Sequence, residues 1–112
     1  MTKPMSRPYS QYSLEALELL GLLVREARLS KSLTTTDLAT RAGISRALLQ
    51  RIERGDPGCS IGAVFEVAAI CGVSLFDLEQ RQLTSNLTLH REKMTLLPKA
   101  VRIRSKGVKD DF

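Results

Sequence analysis

Hydrophobic residues recur at helical spacing in the first third of the chain. From Leu14 to Ala27 an apolar residue stands at every third or fourth position, the spacing that places side chains on one face of an α-helix. Ser13 precedes this stripe and is a suitable N-cap. We therefore predict a first helix to about Lys31, with its core face formed by Leu14, Leu17, Leu20, Val24 and Ala27.

Two short helices joined by a glycine are predicted over residues 34–55. Thr34 and Asp37 have the spacing of a capping box, and Gly43 provides a left-handed stop for a second helix over residues 35–42. Ser45 is the predicted N-cap of a third helix that stops at Gly55. Its core-facing residues are Leu48, Leu49 and Ile52.

The rest of the chain predicts further helices and no strand. Asp56-Pro57-Gly58 is typical of a turn. Ser60 is the predicted N-cap of a fourth helix that ends at Gly72, and Ser74 is the predicted N-cap of a fifth helix. The core face of the fourth helix is predicted to contain Ile61, Val64, Phe65, Ala68 and Ala69. A last helix is expected from about Arg81 to Leu96, with an apolar stripe of Leu83, Leu87, Met94 and Leu97.

These elements predict an all-α protein with four segments. Residues 1–12 are expected to be a flexible arm, 13–80 a helix-turn-helix domain of five helices, 81–97 an additional helix, and 98–112 a flexible basic tail. The tail carries Lys99, Arg102, Arg104, Lys106 and Lys109 against Asp110 and Asp111.

The charge favours an anionic partner, either nucleic acid or an acidic membrane surface. The 112 residues include 17 basic and 12 acidic side chains, a formal net charge of +5, which favours an anionic partner. No apolar run is long enough to span a membrane, and the first dozen residues lack the apolar core of a secretory signal, so we expect a cytoplasmic protein. Cys59 and Cys71 are then expected to be reduced thiols.

The outward side of the third helix has the chemistry of a DNA reader. Arginine can donate two hydrogen bonds to guanine, glutamine can pair with adenine, and alanine admits contact with a thymine methyl group. The N-terminal amides of the third helix, with Ser45 and Thr35 nearby, suit phosphate oxygens. The predicted base-reading residues are Arg46, Ala47, Gln50 and Arg51, and the predicted phosphate-contacting residues are Thr35 and Ser45, with Arg41 and Arg54 as either phosphate contacts or solvated charges.

Catalysis and metal binding are not predicted. His90 is the only histidine and has no Cys, Asp or second His at ligand spacing, which indicates a surface side chain. No nucleophile with a base and no glycine-rich phosphate loop is present. We therefore expect neither an enzyme nor a cofactor.

The sequence TTTDLA at 34–39, followed by AGISRALLQRIERG at 42–55, resembles the helix-turn-helix signature of the Xre, or Cro/repressor-like, DNA-binding proteins. The resemblance covers about Leu20 to Leu78, implies the same reading residues, and implies a structural ion pair between Arg28 and Glu53. Thr35 departs from the family, which usually has glutamine there to brace the DNA backbone.

A longer segment, RIERGDPGCSIGAVF at 51–65, resembles the HipB-like branch of that family, and the ending LLPKAVRIRSKGVKDDF is similar too. This resemblance implies a dimeric repressor that binds a double-stranded operator and autoregulates a toxin-antitoxin operon. It also implies an alternative, in which the protein acts mainly as an antitoxin by binding a HipA-like kinase toxin.

Two surface features have more than one interpretation. Leu22 and Leu23 widen the apolar arc of the first helix, and they and the Leu83–Leu97 stripe are predicted either to be covered by the chain's own helices or to form a homodimer contact. The basic tail is predicted either to add phosphate contacts or to fold onto a protein partner.

Overall fold

The computed structural model describes residues 8–101, and within them every regular element is helical. The all-α class is therefore confirmed. The helices are α1 (Gln11–Ser30), α2 (Thr35–Ala42), α3 (Arg46–Glu53), α4 (Ile61–Cys71) and α5 (Gln80–Thr95), with a single 3₁₀ turn at Leu75–Asp77. The chain divides into two units, Met1–Asp77 and Leu78–Phe112.

Side-chain caps define where the helices of the first unit begin. The hydroxyls of Thr34, Ser45 and Ser60 accept hydrogen bonds from the backbone N–H groups of Asp37, Leu48 and Ala63, so these three predicted caps are confirmed. Each satisfies a backbone donor that the helix itself leaves unpaired. The capping box of α2 is complete, because Asp37 also accepts from the N–H of Thr34 at 3.1 Å.

The predicted cap of α1 was wrong. Ser10 is the N-cap, and its hydroxyl accepts from the backbone N–H of Ser13, which lies inside the helix. α1 consequently begins at Gln11 and includes the last two residues of the predicted arm. Residues 1–7 of that arm and residues 102–112 of the predicted tail lie outside the described residues.

The core of the first unit lies where α1, α2, α3 and α4 meet. α1 and α2 each pack against both α3 and α4, so α3 is supported from two sides. Burying these apolar side chains is the main favourable contribution to folding. The buried apolar residues are Val24, Leu38, Ala39, Leu49, Ile52, Val67, Ala68 and Cys71.

The predicted core face of the fourth helix needs correction. On α4, Val67 and Cys71 join Ala68 in the core, whereas Ile61 and Ala69 are exposed. The buried face thus lies in the second half of the helix, and its first residue extends beyond the core. The sequence of α4 does not reveal which of its faces is buried, because ten of its eleven residues are nonpolar.

The fifth helix predicted after Ser74 is reduced to one turn. Phe76 and Asp77 have positive φ values of 55° and 59°, and two consecutive left-handed residues cannot continue a right-handed helix. The ring of Phe76 packs edge-on against Phe65, with the centroids 6.2 Å apart. This aromatic contact places the turn against α4.

α5 forms the regular part of the second unit. Its bounds lie within one residue of the predicted Arg81–Leu96, and the side-chain Oε1 of Gln82 accepts from the N–H of Glu79 at its start. None of its residues is buried. The predicted apolar stripe is largely exposed, with Leu87 at 48% and Met94 at 61%. Among residues 8–101 no helix combines the length and apolar character needed to cross a bilayer.

Candidate nucleic-acid interface

A buried ion pair fixes α3 to α1. The Nε of Arg28 lies 2.7 Å from Oε2 of Glu53, and its Nη2 lies 3.1 Å from Oε1, so the contact is bidentate. Arg28 also donates from Nη1 to the carbonyl of Leu33 at 3.0 Å. The predicted Arg28–Glu53 pair is therefore present, and the hydrogen bond to Glu53 raises the pKa of Arg28. A paired guanidinium fork of this kind restrains orientation as well as distance.

The backbones of α1 and α3 also approach closely at Gly21. A Cβ atom on Gly21 would lie 2.6 Å from the carbonyl oxygen of Glu53 and 2.7 Å from that of Ile52. Only a residue without a side chain fits this contact. Together with the ion pair, this close contact determines the position of α3 relative to α1.

The side of α3 that faces away from its buried residues Leu49 and Ile52 is open to solvent. Arg46, Ala47 and Gln50 are exposed. In the part of the chain that the structure describes, no hydrogen bond uses the side chain of Arg46 or of Gln50. These two residues therefore have the donors and acceptors needed to contact a base edge.

Arg51, the fourth predicted reading residue, has an intramolecular partner. Its Nε lies 2.8 Å from Oδ2 of Asp56, in the turn after α3. The other carboxylate oxygen of Asp56 accepts from the N–H of Gly58 at 2.8 Å. The hydrogen bond from Arg51, and then that from Gly58, lowers the pKa of Asp56, while Asp56 raises the pKa of Arg51. Base reading by Arg51 stays a prediction, to which the structure adds the ion pair with Asp56.

The predicted phosphate contacts lie at two helix starts and two helix ends. Thr35 is the half-buried first residue of α2, and Ser45 is the exposed N-cap of α3. Arg41 lies in the last turn of α2, and Arg54 follows α3; both are exposed. Their role in contacting phosphates stays a prediction.

A shallow groove beside α3 adds one residue that sequence reasoning missed. The groove is lined by Arg25 from α1, Thr35 from α2 and Arg54 after α3, together with Gln50 and the Arg28–Glu53 pair. The signal for Arg25 was available: it stands three residues before Arg28, so it lies on the same side of α1. Two exposed arginines, Arg25 from α1 and Arg54 after α3, thus lie in one groove.

Other candidate chemistry is not assembled in the described residues. Between residues 8 and 101, no three His, Cys, Asp or Glu side chains are grouped as metal ligands. Cys59 and Cys71 are free thiols, and burial raises the pKa of Cys71, which disfavours its reactive thiolate. His90 is exposed on α5.

A comparison with protein-family models agrees with this geometry. A family model described as a helix-turn-helix domain matches residues 19–83, more than half of the chain, from within α1 to the first turn of α5. A search of curated proteins finds no match to the sequence. The helices and the matched segment together show that the chain belongs to the helix-turn-helix domain family.

Proposed function

We propose that this protein is a sequence-specific regulator of transcription that inserts α3 into the major groove of double-stranded DNA. The observation that carries the proposal is the contrast between the two sides of α3. One side buries Leu49 and Ile52 in the core, while the other exposes Arg46, Ala47 and Gln50. A rigid helix with outward polar side chains is the feature by which helix-turn-helix proteins read base edges.

Each exposed residue has a role that follows from its chemistry. Arg46 reads guanine, Gln50 reads adenine, and Ala47 allows contact with a thymine methyl group. Thr35, Ser45, Arg41 and Arg54 contact phosphates and fix the register of the protein on the duplex, and Arg25 joins them from the groove.

The test begins with selection of bound duplexes from a random DNA pool by the full chain. On the selected duplex, we expect Arg46→Ala to weaken binding by about 1–3 kcal/mol and to relax the preference at one base position. Arg91→Ala is the matched control, because it removes the same charge from an exposed position on α5. Equal losses on selected and random DNA would contradict a reading role for Arg46.

We further propose that two copies bind a palindromic operator, with their α3 helices in successive major grooves about 34 Å apart. Exposed apolar side chains support this. Leu22 and Leu23 on α1, and Leu87 and Met94 on α5, are each more than one-third exposed. Light scattering on and off DNA tests it, and a monomer in both conditions would reject it.

A second proposal is the antitoxin function implied by the resemblance of residues 51–65 to HipB-like proteins. The exposed stripe of α5 supports a protein-binding role, because such surfaces mark interaction sites. The test is co-expression with the neighbouring reading frame, if that frame encodes a kinase-like protein. Co-purification and loss of kinase toxicity are expected, and toxicity that persists would contradict the proposal.

A further inference from the structure

We infer that Asp56 is a positioning residue for Arg51, which holds the arginine so that it selects one base pair. The inference rests on the proposed DNA-binding function and deepens it. Ala47 and Arg51 are four residues apart on α3 and are therefore neighbours on its surface. The side chain of Arg51 keeps 42% exposure despite its ion pair, so it is both restrained and accessible.

The restraint is built from several contacts in one turn. Oδ2 of Asp56 accepts from Nε of Arg51, and Oδ1 accepts from the N–H of Gly58. The backbone N–H of Asp56 donates to the carbonyl of Arg51 at 3.0 Å. Asp56 is thus joined to α3 through its backbone and to the Arg51 guanidinium through its side chain, so the carboxylate is itself held in place.

Gly58 leaves room for the guanidinium. A Cβ atom on Gly58 would lie 3.1 Å from Nη2 of Arg51 and 3.3 Å from Oδ1 of Asp56, closer than an ordinary contact. A side chain at position 58 would therefore press on both members of the pair. The turn Asp56-Pro57-Gly58 therefore restrains Arg51 and also connects α3 to α4.

The contact leaves the recognition atoms of Arg51 available. Asp56 engages Nε, and within residues 8–101 no hydrogen bond uses Nη1 or Nη2 of Arg51. These two terminal nitrogens form the fork that can pair with guanine. Because the side chain is already ordered, less rotamer entropy is lost on binding.

The positioning role of Asp56 can be distinguished from the electrostatic effect of its negative charge. A carboxylate beside α3 repels phosphates, so its removal should strengthen binding to every duplex alike. A positioning residue has the opposite signature: its removal lowers the preference for one base pair, whatever happens to overall affinity. The preference at a single position is therefore the informative quantity.

The experiment measures binding of the full chain to the selected duplex and to single-base variants of it. In the wild type, the position read by Arg51 should discriminate by about 5- to 150-fold. Asp56→Asn keeps an acceptor for Gly58 but loses the charge, and we expect it to reduce that discrimination by about three- to tenfold, the size of one net hydrogen bond. Glu66→Gln, an exposed carboxylate removed from α4, is the matched control and should leave discrimination unchanged.

Two further variants make the result specific to the pair. Arg51→Lys keeps the charge but lacks the fork, so it should lose the same base preference with little change in non-specific binding. In an Arg51→Ala background, Asp56→Asn should have no additional effect on discrimination. Melting curves by circular dichroism verify that each variant is folded.

A measurement without DNA tests the restraint itself. The Nε–H proton of Arg51 should exchange slowly in the wild type and rapidly in Asp56→Asn, as seen by NMR. Equal exchange in both, an unchanged base preference in Asp56→Asn, or additive effects in the double variant would overturn the inference while wild-type binding stands. If the wild type prefers no duplex, the proposed function fails and the reading role of the pair fails with it.

Discussion

The two units of the chain obtain their helical structure in different ways. In the first unit, α1 to α4 share a core of eight buried apolar residues and a buried ion pair. In the second, α5 has no buried residue. Its described hydrogen bonds are local, such as the one that the N–H of Glu79 donates to the side chain of Gln82. Helices in proteins gain most of their stability from tertiary packing, so we expect the 16-residue α5 to be less stable than the helices of the first unit. The comparison teaches that α1 to α4 are held by a shared core, whereas α5 has no buried residue to hold it.

The largest expected difference is between two leucines, one in each unit. Leu49→Ala removes a fully buried side chain from α3 and should lower the free energy of unfolding by about 2–5 kcal/mol. Leu87→Ala removes a side chain that is about half exposed on α5 and should change it by less than about 0.5 kcal/mol. Urea unfolding of the full chain at low protein concentration measures both.

This pair of variants can also break the comparison. A loss for Leu87→Ala as large as that for Leu49→Ala would mean that α5 is packed in solution. If the proposed dimer uses α5, the cost of Leu87→Ala should grow with protein concentration, because dimer dissociation then contributes to unfolding.

A second contrast separates tertiary packing from local helix preference within the first unit. Gly21→Ala would place a methyl group against the backbone of α3 and should destabilise the protein by about 1–3 kcal/mol. Gly62 lies in α4 with no atom within 4 Å of an added Cβ, so Gly62→Ala should follow local preference and stabilise by about 0.5–1 kcal/mol. Thermal melting compares them, and a stabilising shift for Gly21→Ala would contradict the described packing of α1 on α3.

The same distinction explains how much of the fold could be predicted from the sequence. The starts of α2, α3 and α4 were predictable, because a single hydroxyl at Thr34, Ser45 or Ser60 determines each one locally. The start of α1 was not, since Ser10 and Ser13 are both suitable caps and only the folded chain selects Ser10. The helix expected after Ser74 depended on φ values at Phe76 and Asp77 that propensity does not encode.

The candidate site divides in a similar way. The exposure of Arg46, Ala47 and Gln50 follows from helical spacing alone, and the structure places all three on the outward side of α3. The partner of Arg51 and the groove position of Arg25 depend on how a turn and a second helix approach α3. Spacing within one helix cannot show contacts of that kind.

The smallest expected effect is on the free energy of unfolding at acidic pH, and it should also differ between the two units. Hydrogen bonds from the backbone N–H of Thr34 lower the pKa of Asp37, and the hydrogen bond from Arg51 lowers that of Asp56. A carboxyl whose pKa is lower in the folded state binds fewer protons there than in the unfolded chain. Its stabilising contribution is therefore present above the unfolded value of about 3.9 and is lost as pH falls through the lower folded value.

Asp37→Asn and Asp56→Asn should each flatten the fall in unfolding free energy between about pH 5 and pH 2, whereas Gln82→Ala on α5 should leave the shape of that pH profile unchanged. The reason is chemical: Gln82 caps α5 with an amide, which does not titrate in this range, while α2 and the turn after α3 depend on carboxylates. Urea unfolding across this pH range gives the measurement. A profile that is unchanged in both aspartate variants would show that these carboxylates do not link protonation to folding of the first unit.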